Sequence, residues 1–178
     1  MIFWTELGTE DTPGKIMKAT MDGSSVYTLF DYNNNPTGIT VDQDQARIYW
    51  SENGSIFSSD LDGNDYTRVV SLDLYTQAWG IDVLGDQVYW SYAGSAIFSA
   101  DKGNLTANGT LVLAGAVNEF YPFMAIVSTS NQPVNRQNDC AFSPCTDICV
   151  LTSNSYTCLC PNEHTLDPDD GTVCKSKD

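Results

Sequence analysis

The chain has 178 residues, 42% hydrophobic and 17% charged, apolar enough for a packed core and too apolar for wholesale disorder. Acidic residues outnumber basic ones 23 to 8, a net charge of −15 with a single His. That balance argues against nucleic acid and against an anionic membrane surface, both of which need clustered Lys and Arg.

No apolar run approaches a membrane span, and Met1-Ile2-Phe3-Trp4-Thr5-Glu6 lacks the basic start and apolar stretch of a secretory signal. In chain order, the first strand is Ile2-Phe3-Trp4-Thr5-Glu6, and it returns as Ile48-Tyr49-Trp50-Ser51-Glu52 and Val88-Tyr89-Trp90-Ser91-Tyr92. A second short strand follows each time: Lys15-Ile16-Met17-Lys18, Ser55-Ile56-Phe57-Ser58 and Ala96-Ile97-Phe98-Ser99. Turn residues come next at Asp22-Gly23 and Asp62-Gly63, with Lys102-Gly103-Asn104 in their place in the third repeat. A third strand follows at Val26-Tyr27-Thr28-Leu29-Phe30, Thr67-Arg68-Val69-Val70 and Thr110-Leu111-Val112-Leu113. The fourth is Gly38-Ile39-Thr40-Val41-Asp42, Gly80-Ile81-Asp82-Val83-Leu84 and Met124-Ala125-Ile126-Val127. Four short strands recurring with the motif Trp at spacings of 46 and 40 predict propeller blades, an all-β fold with almost no helix. Residues of a blade's inner strands are covered on both faces, so Trp4, Trp50 and Trp90 are expected in the core.

The composition changes at Gln132-Pro133-Val134-Asn135-Arg136-Gln137, which sets the predicted boundary between domains 1–136 and 137–178. All six cysteines lie beyond it, spaced C-x4-C-x3-C-x8-C-x-C-x13-C from Cys140 through Cys145, Cys149, Cys158 and Cys160 to Cys174. Their even number and close packing predict a disulfide framework formed in an oxidising compartment. Spacing alone leaves many pairings open, although Cys158 and Cys160 flank one residue and are too close to bridge comfortably. A zinc site fits poorly, because there is no second close cysteine pair and the one His is distant. Sequons at Asn53, Asn104 and Asn108 agree with an extracellular location. Cysteines that require oxidation, in a chain without a signal, suggest part of a longer secreted or membrane-anchored protein.

The repeated Phe3-Trp4-Thr5-Glu6, Tyr49-Trp50-Ser51-Glu52 and Tyr89-Trp90-Ser91-Tyr92, with the Asp22-Gly23 and Asp62-Gly63 turns, resemble the YWTD repeat of low-density-lipoprotein-receptor propellers. The resemblance covers residues 2–132 and implies a partial, three-blade propeller, where the family's propellers have six blades. The missing half would come from the parent chain or from a second copy. The motif's Asp is Glu6, Glu52 and Tyr92 here. The cysteine region resembles an EGF-like module, with Tyr156 two residues before Cys158; that resemblance implies the pairs Cys140–Cys149, Cys145–Cys158 and Cys160–Cys174. Only Asp139 precedes Cys140, so no calcium is expected in the module.

Nothing in the sequence supports catalysis or a cofactor. His164 reads as a solvated loop residue and Asp167-Pro168-Asp169-Asp170-Gly171 as a solvated turn, not a metal site. Propeller hydrolases related to paraoxonase need His and calcium ligands in a central channel, and residues 1–163 contain no His. Binding is the better expectation. In an up-and-down blade the loop entering the first strand and the loop between the second and third lie on one face. Those loops gather Glu6, Tyr32, Glu52, Asp73, Tyr75, Trp79, Tyr92, Glu119, Phe120 and Tyr121. Aromatics among carboxylates suit a basic or aromatic-bearing protein or peptide. The resemblance implies an extracellular protein-binding module of a lipoprotein-receptor-like endocytic or signalling (Wnt co-receptor-like) receptor. A nidogen-like matrix scaffold and an incomplete fragment without independent function are the alternatives.

Overall fold

The structure is a computed structural model that describes residues 1–32, 35–72, 78–92, 96–103, 109–114, 124–128, 138–152 and 155–177. The chain divides into two compact units, residues 3–17 with 28–133, and residues 1–2 with 18–27 and 134–178. The junction expected at residues 132–137 lies outside the described residues.

The repeats fold into three sheets. Sheet I holds β1 (Ile2–Glu6), β2 (Gly14–Ala19) and β3 (Val26–Tyr32) in that order. Sheet II holds β4 (Pro36–Asp42), β5 (Arg47–Glu52), β6 (Ser55–Asp60) and β7 (Thr67–Ser71), also in chain order. Sheet III repeats this order with β8 (Ala78–Leu84), β9 (Gln87–Tyr92), β10 (Ala96–Asp101) and β11 (Thr110–Ala114). Sheets II and III are antiparallel, and even their irregularities repeat. The register slips between Pro36 and Ile39 and again between Ala78 and Ile81, then between Ile56 and Phe57 and between Ile97 and Phe98. The predicted strand at Met124 to Val127 is not a strand in the structure: those residues carry no regular secondary structure and pair with no described strand.

Turn chemistry explains much of the acidic composition. The β5–β6 hairpin closes on Asn53 and Gly54, both with positive φ (45° and 64°), the two-residue turn that matches twisted strands. Elsewhere carboxylates accept backbone N–H groups of their own turns: Asp22 from Ser24, Asp42 from Asp44 and Gln45, Asp60 from Asp62 and Asn64, and Asp101 from Gly103.

Packing between the sheets follows one rule. In β5, Trp50 points toward sheet I and packs with Ile16, Ile48, Phe30 and Phe57, while Tyr49 points the other way into the core shared with sheet III. Successive residues of a strand face opposite sides, so one aromatic pair fills two interfaces. Trp90 obeys the same rule and faces sheet II. Trp50 and Trp90 are fully buried, whereas Trp4 is half-buried. Close approach is built in as well: a Cβ on Gly38 would lie 2.3 Å from the Trp79 carbonyl oxygen, so only Gly lets β4 pass β8 there.

The cysteine-rich region carries a 3-10 turn at Asp139–Phe142 and two hairpins, β12 (Ile148–Leu151) with β13 (Tyr156–Leu159) and β14 (His164–Leu166) with β15 (Cys174–Ser176). All six cysteines are paired, Cys140–Cys149, Cys145–Cys158 and Cys160–Cys174, the pairing that the EGF resemblance implies. Staples of this kind replace a core too small to stand alone. His164 opens β14 instead of lying in a loop, and it is exposed. Asp167 and Asp170 accept turn N–H groups from Asp169 and Thr172, and Asp167 pairs with Lys175.

Candidate functional site

The predicted face is built where the motif strands end. Glu6, Glu52 and Tyr92 close β1, β5 and β9, and Pro36 and Ala78, which open β4 and β8, lie opposite Glu52 and Tyr92. Trp79 follows Ala78 and is half-buried. Tyr92 sits edge-on to Phe98, with ring centroids 6.3 Å apart. Asn53, at the tip of its hairpin, is exposed on the same end.

The two glutamates differ. Each accepts the indole N–H of the motif Trp two residues earlier on the same strand face, Trp4 Nε1 to Glu6 Oε1 at 3.0 Å and Trp50 Nε1 to Glu52 Oε2 at 3.2 Å. A Glu in the place of the motif's Asp therefore still serves a polar partner inside the repeat. Glu6 remains exposed, but Glu52 is only 4% exposed. The carboxylate of Glu52 belongs to the packing of sheet II and offers no surface to a ligand, contrary to the expectation from sequence. The side chain of Tyr32 and all of Asp73, Tyr75, Glu119, Phe120 and Tyr121 lie outside the described residues, as do the sequon residues Asn104 and Asn108.

Beside Glu52 a hydroxyl network ties the sheets together. Thr5 donates to the Thr37 carbonyl (2.8 Å). Ser51, its counterpart in the next repeat, donates to the Ala78 carbonyl (3.0 Å) and accepts from Gly38 N–H (3.0 Å). Ser91, the third counterpart, accepts from Gly80 N–H (2.9 Å). The innermost strands are joined through Asp82, whose carboxylate accepts the Thr40 hydroxyl (2.9 Å) and the Ile126 N–H (2.6 Å). The small hydroxyl residue of the motif thus joins sheet I to sheet II at Thr5 and sheet II to sheet III at Ser51, while the Ser91 bond lies within sheet III.

At the opposite end the structure holds a feature the sequence did not show. A groove of about 480 Å³ runs between sheets II and III, lined by Gln45, Arg47, Tyr49, Ser58, Asp86 and Lys102 among others. Lys102 Nζ lies 2.5 Å from Asp42 Oδ2 with both side chains buried, and 5.6 Å from the Tyr49 ring centroid. Arg47 is spent on Ser58 Oγ (3.1 Å) and the Asp65 carbonyl (2.8 Å). Burial first, then the Asp42 charge, pushes the Tyr49 phenol above its ordinary value, with Arg47 opposing. The one sequence signal was Lys102 standing where the other repeats have Asp-Gly. Among the described residues no His, Cys, Asp and Glu side chains cluster so as to hold a metal ion.

Residues 1–43 match the family described as low-density lipoprotein receptor repeat class B. The same strand order, bulges and Trp–carboxylate pair recur beyond the matched segment. The class B match covers residues 1–43, and the later repeats share its strand pattern. The chain is similar to vitellogenin receptor Yl of Drosophila melanogaster, 29% identical over 181 residues covering 95% of the chain and 8% of the relative. It is also similar to the vitellogenin receptor of Solenopsis invicta (29% over 173 residues, 94% and 9%) and to human low-density lipoprotein receptor-related protein 5 (28% over 158 residues, 86% and 9%). The chain therefore spans less than a tenth of the length of these relatives. Among solved structures it is similar to a chain of a nidogen/laminin complex, with a TM-score of 0.46 and 24% identity, covering 57% of this chain and 40% of that one.

Proposed function

We propose that these class B repeats and their EGF-like module form an extracellular, protein-binding part of a lipoprotein-receptor-like endocytic or signalling receptor. The ligand is a basic or aromatic-bearing polypeptide that docks on the end of the sheets where Glu6, Tyr92 and Trp79 stand, with Asp73, Tyr75, Glu119, Phe120 and Tyr121 contributed by the adjoining loops. The observation that carries this reading is the strand-end arrangement itself. The repeat places an exposed carboxylate at the end of β1 and half-buried aromatics at the matching ends of β8 and β9. Three disulfides and similarity to vitellogenin receptors support the extracellular setting. A chain at −15 attracts basic partners at long range, and salt weakens that attraction.

The test uses a lysine-rich peptide and a glutamate-rich control, with the full chain immobilised. Binding of the basic peptide alone, falling as salt rises, is expected. Glu6→Lys with Asp73→Lys should weaken it and flatten its salt dependence, while Trp79→Ala should weaken it at every salt concentration alike. Equal binding of both peptides, or no effect of either variant, would refute the assignment of this face.

A further inference from the structure

Of the sequons, only Asn53-Gly54-Ser55 falls among the described residues, and it forms the tip of the β5–β6 hairpin. Its geometry is fixed from both sides. Glu52 and Ser55 pair across the hairpin, which leaves Asn53 and Gly54 as the two turn residues. Gly54 is buried, and its carbonyl accepts the Leu72 N–H (2.7 Å), tying the turn to the chain that leaves β7. Asn53 is exposed, and its side-chain amide has no hydrogen-bond partner among the described residues.

The turn does not need that amide. Positive φ at both turn positions suits Asp-Gly as well as Asn-Gly. The third repeat has Ala93-Gly94-Ser95 at the same place in sequence, and the first has Leu7-Gly8. What Asn53 adds is a free amide at an anchored, exposed tip, inside the acceptor pattern for N-linked glycosylation. The three disulfides call for the same oxidising compartment in which that modification is made.

We infer that Asn53 carries an N-linked oligosaccharide, transferred before the β5–β6 hairpin closes. The donor is a lipid-pyrophosphate-linked oligosaccharide. Asn53 Nδ2 bonds to its anomeric carbon, the bond from that carbon to the pyrophosphate oxygen breaks, and the lipid pyrophosphate leaves. The displaced Nδ2 proton goes to base. Burial sets the order of events. A transferase must engage the sequon hydroxyl, but Ser55 is only 8% exposed in the fold and the sequon is bent back in its turn. An isolated hairpin is marginally stable, so the sequon is open until β4 and β7 pair with β5 and β6. Once sheet II has formed, the sugar projects from its end without disturbing a hydrogen bond. It stands beside buried Glu52, the part of that end with no carboxylate to offer a ligand.

The test uses the full chain, made in secretory cells and also in a host that lacks the transferase. Glycosidase release in heavy-oxygen water turns a glycosylated Asn into a carboxyl carrying the heavy isotope, which peptide mass spectrometry reads. Heavy label at position 53 is expected in the secreted chain. Asn53→Asp, which keeps the turn, should fold alike and lose one glycan's mass before release. A carboxyl without heavy label at position 53 would mark spontaneous deamidation of Asn-Gly, and an intact Asn53 an unused sequon; either would overturn the site. Folded chain from the transferase-free host, incubated with purified transferase and donor, should stay bare at Asn53. Glycosylation of that folded chain would overturn the order. Both readouts are covalent, so they stand or fall apart from the basic-ligand reading.

Discussion

Lys102 and Asp42, sixty residues apart in sequence, form a buried ion pair that joins the end of β10 to the end of β4. Asp42 uses its other oxygen to hold the β4–β5 turn through Asp44 and Gln45, so one carboxylate fixes both a turn and the contact between sheets II and III. Removing the cation alone leaves a buried charge. Lys102→Met should cost about 3–5 kcal/mol in urea unfolding, and adding Asp42→Asn should recover most of it. Equal losses in the single and double variants would show that the pair is not coupled.

Tyr49, beside that pair, gives the repeats an alkaline limit. Its phenol is raised in the folded state by burial and by Asp42, so the folded chain holds that proton more tightly than the unfolded one. The contribution is fully present below the unfolded value near 10 and is lost as pH rises through the folded one. The urea midpoint should fall above about pH 10, and Tyr49→Phe should fall less steeply. Parallel profiles would assign the loss to other tyrosines.

The two Trp–Glu pairs predict opposite sensitivities at equivalent positions. Glu52→Ala strips a buried indole N–H of its acceptor and should destabilise by about 1–3 kcal/mol. Glu6→Ala removes an exposed acceptor and should change stability little. Glu52→Gln, which still accepts, should recover much of the loss. Chemical unfolding of the three variants side by side decides the matter.

Strand content and repeat order were legible because they depend on local pattern: the aromatic pair, the alternation and the Asp-Gly turns recur at fixed phase. The disulfide pairs followed from resemblance, not from spacing. What stayed hidden is long-range. Glu52 and Glu6 hold the same motif position, yet one is buried because sheet II is covered on both sides, and a single strand's sequence does not reveal its neighbours. The partner of Lys102 lies two strands and a sheet away, beyond any local window. Met124 to Val127 carries a strand pattern, but a strand needs a partner edge, and none is present among the described residues.

The cysteine-rich unit should fail independently and under different conditions. Its β12–β13 and β14–β15 hairpins are short, and its hold rests on Cys140–Cys149, Cys145–Cys158 and Cys160–Cys174. Losing one native bridge from so small a unit costs about 2–5 kcal/mol. Reduction should therefore unfold residues 140–174 while residues 28–133, which contain no cysteine, keep their strand signal. Acid should act on the same unit. Asp167 is held below the ordinary carboxylate range first by its hydrogen bond with Lys175 and then by the Asp169 N–H. A carboxyl lowered in the folded state contributes stability that is present above the unfolded value near 4 and is lost as pH falls through the folded one. The Asp167 and Lys177 amides donate to the Val173 and Glu163 carbonyls across the β14–β15 hairpin, and their protection against exchange should thus fall below about pH 4 in the native chain. In Asp167→Asn that protection should be lower already at neutral pH and change less with acid. Exchange at these amides that ignores both acid and the substitution would show that the disulfides alone hold the hairpin.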